Sequence, residues 1–251
     1  MPRETTIKSI VKGANILKLL AHGSNGVLEI SRVLTLSKGT THRILRTLVD
    51  INFVVQDPLS EKYLLGPGIL ELLSKINNTH EFLGICSLGE MERLRALTKE
   101  TVLLHIRIGL HRVCIEEVES TENLKYVNGR GFVAPLYTGA AGKVLLSELS
   151  DSEAEYLLDK MNLIPLTKRT QVNKKRIFSE IKKTRDLGYS TSFGERVSGS
   201  ACISLPVKNY FEPVALSVLG PDNRFTLAKM QQFLSEIKKS VSRISDRLLK
   251  N

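Results

Sequence analysis

The chain is 251 residues long, enough for one large domain or two modest ones, each able to bury its own core. Lys and Arg number 36 against 26 Asp and Glu, a formal charge of +10 that favours a polyanionic partner, and 42% apolar content excludes wholesale disorder. Trp is absent and aromatic residues make up 6%, which leaves little for a base-stacking surface of the single-strand-binding kind. Cys86, Cys114 and Cys202 are an odd set without paired spacing, no charged-then-apolar leader precedes them, and no uninterrupted apolar run approaches the ~18 residues of a membrane span. The expectation is a cytoplasmic protein without a membrane segment.

Residues 9–21, SIVKGANILKLLA, repeat apolar side chains at helical spacing, and Gly23 follows as a stop signal. A turn cluster, Ser24-Asn25-Gly26, leads into a short helix over 28–34. Ser37 is a good N-cap for a third helix to about Ile51, with Ile44, Leu45, Leu48 and Val49 as its apolar stripe. Two β-rich runs, 53–55 and 62–65, flank the turn-forming stretch 56–61 and predict a hairpin. Three helices and a hairpin within this span predict a winged helix-turn-helix, closed by Gly66-Pro67-Gly68. Helical patterning then resumes through Leu72, Leu73 and Ile76 and, after a polar interruption, from about Phe82 to Leu97. These two stretches read as a connector. From Thr101 onward strand-like runs (102–108, 113–118, 200–207, 214–219) mix with helices (139–148, 152–161, 173–187, 226–250), which predicts an α+β domain with its helices on one side of a sheet. The fold class is therefore mixed α/β: a winged helix-turn-helix domain over 1–66, a helical connector over 67–99 and an α+β domain over 100–251.

A helix that enters the major groove needs polar and basic residues at its N-terminal end and an apolar opposite face. Residues 37–47, SKGTTHRILRT, meet both demands and contain no acid. Ser37 caps the helix; Lys38, Arg43 and Arg46 supply charge; Gly39 allows close backbone approach. Thr40 and Thr41 can donate to phosphate or touch a thymine methyl, and His42 can meet a phosphate or a base. The same residues fit a solvated basic face, and it is the hairpin downstream that turns the reading to DNA. That hairpin carries Asp57 and Glu61 with Lys62 as the base of its turn, so it contributes shape more than charge. Residues 168–185 hold eight bases and one acid, Glu180, a run read as a solvated face or a second nucleic-acid contact.

With these segments in view, the sequence resembles an IclR-type transcriptional regulator over nearly its full length. ISRVLTLSKGTTHRILRTLVDINFV is similar to the family's second and third helices leading into the wing. APLYTGAAGKVLL (134–146), DLGYS (186–190), GSACISLPV (199–207) and VALSVLGP (214–221) stand in family order and spacing. The resemblance implies a GAF-like effector-binding domain, dimers that often pair into tetramers, and ligand-tuned binding to promoter DNA. It also implies that the amides of Ala140 and Ala141 and the side chains of Cys202 and Ser217 line the effector cavity. Read from the residues alone, the small side chains of 139–142 leave amides open to a carboxylate at a helix start, or simply let helix and sheet pack closely. Where many members carry an acidic run, this chain has Ser192-Phe193-Gly194-Glu195, and Leu219 stands where a serine is frequent. These two departures predict an organic acid with a more apolar body than glyoxylate or pyruvate. Thr35 replaces the glycine common in the helix-to-helix turn, where a β-branched residue at positive φ is costly.

An enzyme is the principal rival, and the sequence offers it little. Gly129-Arg130-Gly131 starts a dinucleotide-like string, but Pro135 follows and no helix opens there. Ala141-Gly142-Lys143-Val144 lacks the remaining parts of a P-loop. His105, His111 and Cys114 match no standard zinc spacing and read as ordinary surface or core residues. No cofactor and no metal are expected. A sensor without DNA binding and an RNA binder that uses 168–185 complete the set of rival functions.

Overall fold

The computed structural model describes residues 6–23 and 25–250, the side chains of 74–79 excepted; Ser24 of the predicted turn, the Ile76 side chain and the chain ends lie outside them. The chain divides into two compact units, Met1–Thr79 and His80–Asn251.

In the first unit, α1 (Lys8–Leu20), α2 (Val27–Val33) and α3 (Lys38–Asp50) precede an antiparallel hairpin of β1 (Val54–Gln56) and β2 (Tyr63–Leu65). Asn25 adds a bridge to Tyr63, so the backbone just before α2 is tied to the hairpin. The core joins one stripe from each helix: Ile16 and Leu20, Ile30, Leu45 and Leu48, closed by Val54 and Tyr63. Each such apolar side chain withdrawn from water contributes about 1.5–3 kcal/mol. Gly66 is required here, since a Cβ would lie 2.3 Å from the Asn52 carbonyl oxygen.

Helix α4 (Pro67–Thr98) is continuous over 32 residues, a correction to the two-segment connector. Polar residues do not break a helix; proline in its interior does, and Pro67 sits in the first turn, where its missing N–H would have no intrahelical partner.

The second unit is built on a six-stranded antiparallel sheet, ordered β5-β4-β3-β8-β7-β6. Its strands are β3 (Thr101–Ile108), β4 (His111–Val118), β5 (Val133–Pro135), β6 (Ser190–Phe193), β7 (Ser200–Val207) and β8 (Val214–Pro221). The edge strands β5 and β6 were not predicted: one is three residues ending in proline, and the other is Ser-Thr-Ser-Phe, without an apolar alternation to reveal it. Around the sheet lie α5 (Gly139–Ser147), α6 (Asp151–Lys160), α7 (Lys174–Leu187) and α8 (Leu227–Leu248).

Period-2 alternation sorts the two faces. Val102, Leu104 and Ile106 of β3, Ile203 and Leu205 of β7, and Val214, Leu216 and Val218 of β8 share a core with Leu83, Met91 and Leu94 of α4 and with Ile237 and Ile244 of α8. Ala215 of β8 packs instead with Val144 and Leu145 of α5 and Ile177 and Ile181 of α7. Helices therefore cover both faces, not one as the sequence suggests; strands such as VLLHI are apolar at successive positions because both sides are buried. Glu90 joins α4 to α8: 5% exposed, it accepts from Arg243 Nε at 2.7 Å, Ser240 Oγ at 2.8 Å and Arg93 Nε at 3.1 Å. Burial pushes its carboxyl upward, but these hydrogen bonds outweigh it and hold the group at about 2. No helix among the described residues is long and apolar enough to cross a membrane.

Candidate functional site

Two sites emerge, one in each unit. In the first, the Ser37 side chain accepts from the Thr40 amide at 3.2 Å and donates to Thr40 Oγ1 at 2.8 Å, so the start of α3 is capped by its own sequence. Lys38, Gly39, His42, Arg43 and Arg46 are exposed, and Thr40 is half-buried. Spacings of three and four residues set them on one face of the helix. The side chains of Lys38, Arg43 and Arg46 make no hydrogen bond or ion pair among the described residues.

Thr41 is a correction. It is fully buried, and its hydroxyl donates to the Ser37 carbonyl at 3.1 Å. Thr41, Leu45 and Leu48 fall at i, i+4 and i+7, the inward stripe of α3, so the base or phosphate contact expected of Thr41 is withdrawn.

Lys62 is exposed at the foot of β2, and no hydrogen bond or ion pair joins it to α3 among the described residues. The turn before it is organised by Asp57, which accepts from the amide and hydroxyl of Ser60; these bonds hold its carboxyl below the usual range. Thr35, in the turn before α3, does adopt a left-handed conformation at φ 53°.

The second site is a cavity of about 30 Å³ on the sheet face that carries α5. All six residues predicted for the effector site, Ala140, Ala141, Ser192, Cys202, Ser217 and Leu219, line it. Register explains their convergence: Cys202 stands opposite both Ser192 and Leu219, and Ser217 is opposite Leu103 and Ser204. Ser217 and Ser204 share a hydrogen bond of 2.9 Å. Burial pushes the Cys202 thiol up to about 12, so it stands protonated and unreactive at neutral pH.

The start of α5 lies over this face. Gly142 permits that, since a Cβ there would meet the Leu136 carbonyl oxygen at 1.9 Å. Of the amides with no partner inside the helix, that of Gly139 donates to Glu195 Oε2 at 2.9 Å, while those of Ala140 and Ala141 remain unbonded among the described residues. Glu195 is further engaged by Lys143 Nζ at 2.6 Å, which also pairs with Glu180 at 2.8 Å.

Sequence reasoning missed the strongest electrostatic features of this cavity. Arg112 is 6% exposed; its Nη1 donates to the Thr138 carbonyl at 3.2 Å and its buried Nε has no partner among the described residues. Arg196 donates to Asn128 Oδ1 at 2.6 Å and stacks over the Phe132 ring at 4.7 Å. His105, 3% exposed, leaves both ring nitrogens unpartnered among the described residues. Burial, and then the charges of Arg112 and Arg196, hold it well below the usual histidine range, so it is neutral at pH 7. Burial and then Arg196 bring Arg112 down to about 10. A charged residue at a buried strand position, Arg112, was the available signal. Cations, helix amides and a neutral imidazole make a receptor for an anion.

A larger open groove, about 580 Å³, borders β6, but its central cation, Lys143, is already paired with two acids. The basic run 168–185 is partly paired too: Lys174 with Asp159, Lys182 and Arg185 with Asp151, and Arg169 with Asp222. Among the described residues no three of His, Cys, Asp and Glu converge as metal ligands.

Residues 9–58 match the IclR helix-turn-helix domain, and residues 84–246 match the bacterial transcriptional regulator IclR C-terminal domain. The chain is 29% identical to the HTH-type transcriptional regulator KdgR of Escherichia coli K12 over 243 residues, covering 96% of this chain and 92% of that one. It is 30% identical to the HTH-type transcriptional repressor AllR of the same strain over 223 residues, covering 87% and 82%. The crystal structure of Thermotoga maritima IclR superposes with a TM-score of 0.75 at 25% identity, covering 97% and 99%. The exposed basic helix and the arginine-lined cavity thus fall inside the two domains these relatives share, and the chain belongs to the IclR family of helix-turn-helix transcriptional regulators, which are not enzymes.

Proposed function

We propose that this regulator reads double-stranded promoter DNA with the exposed face of α3 and adjusts that binding through a small organic acid held in the cavity at the start of α5. The observation that carries the reading is the exposed face formed by Lys38, Arg43 and Arg46 on a helix capped by Ser37, with no ion pair to these bases among the described residues. Its bases are available for phosphates, and Gly39 and His42 present the same surface to base edges. Lys62 supports the contact from the wing. The acid guest is supported by the unbonded amides of Ala140 and Ala141 beside Arg112 and Arg196. A protein of the same fold, from Microbacterium hydrocarbonoxydans, was crystallised with 4-hydroxybenzoate, itself a carboxylate. The protein acts in the cytoplasm as a homodimer on a pseudo-palindromic operator, since two-fold protein symmetry favours symmetric half-sites, and dimers pair further into tetramers.

The test is fluorescence anisotropy of the full chain with duplex from its own upstream region, at several salt concentrations, with and without added acids. Affinity should fall steeply with salt, exceed that for competitor DNA, and change when the acid is present. Failure to bind any flanking duplex, with every acid tried, sinks the reading. Light scattering reports the oligomeric state; a monomer at working concentration overturns that part.

A further inference from the structure

Resting on the acid-sensing reading above, we infer that the guest of the α5 cavity is a compact dianion, an acid with two anionic groups. The argument begins with unpaired charge. Neither Arg112 nor Arg196 forms an ion pair with any carboxylate among the described residues. Among the described residues no acid lines the cavity; Glu195, which acts on Arg112 from nearby, is committed to the Gly139 amide and to Lys143, which also pairs with Glu180. His105 is neutral and contributes a donor and an acceptor but no charge. Two mutually repelling guanidinium groups therefore sit in a largely buried space without an ion-pair partner among the described residues, an arrangement that is costly until an anion enters.

A single carboxylate neutralises one guanidinium and leaves the other exposed to the same penalty. Two anionic groups neutralise both, and the structure offers a separate cradle for each. Arg112 lies against the start of α5: its Nη2 is 3.5 Å from the position a Cβ on Gly139 would take. One anionic group is thus met by Arg112 and the amides of Ala140 and Ala141. The second is met by Arg196, which Asn128 and the Phe132 ring hold in place. The volume, about 30 Å³, is small and limits the guest to a short one. A short dicarboxylate and a phosphorylated small acid share this chemistry.

Calorimetry on the full chain decides between charge states. Malonate, succinate and 2-phosphoglycolate are compared with butyrate, monomethyl succinate and 4-hydroxybenzoate. At least one dianion is expected to bind tenfold or more tightly than any monoanion, and the tighter of the dicarboxylate and phosphorylated arms identifies the source. Arg196→Gln should bring the dianion-to-monoanion ratio close to one while changing monoanion affinity less than threefold. Arg196 is less deeply buried than Arg112, so this variant keeps the fold even where Arg112→Gln does not. A monoanion bound as tightly as its matched dianion overturns the inference and leaves acid sensing intact. An equal loss for both classes in Arg196→Gln overturns the assignment of the second cradle. Binding of no acid of either class overturns the acid-sensing reading itself.

Discussion

Helices α3 and α7 both carry basic rows, yet their surroundings treat them differently. On α7 and the loop before it, Lys174, Lys182, Arg185 and Arg169 are met by Asp159, Asp151 and Asp222, and Arg185 also donates to the carbonyls of Ser147 and Leu149. Only Lys168, Lys175, Arg176 and Lys183 of that run lack an ion pair among the described residues. On α3, Lys38, Arg43 and Arg46 face solvent and form no ion pair among the described residues. Charge count does not separate these helices; half of the bases in the run 168–185 have an internal acid partner, and Lys38, Arg43 and Arg46 have none among the described residues. A base with a resident acid fixes one element to another, whereas a base without one is available to a ligand. The same distinction holds inside the protein, where Glu90 meets several arginines, whereas Arg112 and Arg196 of the α5 cavity form no ion pair among the described residues.

The largest expected effect tests this contrast directly. Replacing Arg43 and Arg46 together by Ala should weaken duplex binding by about tenfold to a hundredfold at ~0.15 M salt and flatten the salt dependence by about two phosphate contacts. Lys182→Ala with Arg185→Ala should leave DNA affinity within about twofold, since those side chains already serve Asp151. Anisotropy titrations of both variants check the pair; comparable losses would erase the distinction between the two helices.

Glu90 sharpens the structural half of the comparison. With its folded-state carboxyl at about 2, below the usual glutamate value, the stability it contributes is fully present above about pH 4.5 and is lost as pH falls toward 2. Glu90→Gln should destabilise the second unit by about 1–2 kcal/mol at pH 7, a modest figure because its arginine partners reach solvent. The difference between wild type and variant in thermal midpoint should shrink between pH 5 and 3. A difference independent of pH would show that Glu90 acts by packing alone.

Within α3 the contrast runs between two faces. Thr41→Ala should cost about 1–2 kcal/mol of stability through its lost hydrogen bond and small cavity. Its DNA preference should not change among operators, unlike a base-contacting position. A change in operator preference at unchanged stability would restore Thr41 to the interface.

These cases also show what the sequence makes legible. The three helices and hairpin are readable because their apolar spacing, the Ser37 cap and the Gly66-Pro67-Gly68 punctuation are local signals. Thr41 is misread because its polarity suggests exposure, whereas its place on the Leu45 and Leu48 stripe decides its burial. The cavity is half legible: Ala140, Ala141, Cys202 and Ser217 follow from the family resemblance, and structure brings them together with Ser192 and Leu219. His105, Arg112 and Arg196 are not legible, because their meeting depends on the register of the β3–β4 hairpin, which shifts at Leu104/His105, and on a loop that follows β6 far along the chain. Leu219 argues for an apolar-bodied guest, and Arg112, Arg196 and His105 add a polar side to the same lining.

The smallest expected effect concerns geometry without charge. Thr35 stands at φ 53° between α2 and α3, held by its amide to Arg32 O at 3.3 Å and by the Ser31 hydroxyl, which donates to Leu36 O at 2.6 Å. A β-branched residue in the left-handed region is strained by about 1–2 kcal/mol, while glycine adopts it freely but loses more backbone entropy on folding. Thr35→Gly should therefore stabilise the first unit by a net of about 0.5 kcal/mol. Because the turn already has the geometry glycine would give it, the exposed bases of α3 should keep their positions and DNA affinity should stay within about twofold. A rise in thermal midpoint with unchanged affinity separates the scaffold from the reading surface; a loss of affinity would mean that the threonine side chain itself meets the duplex.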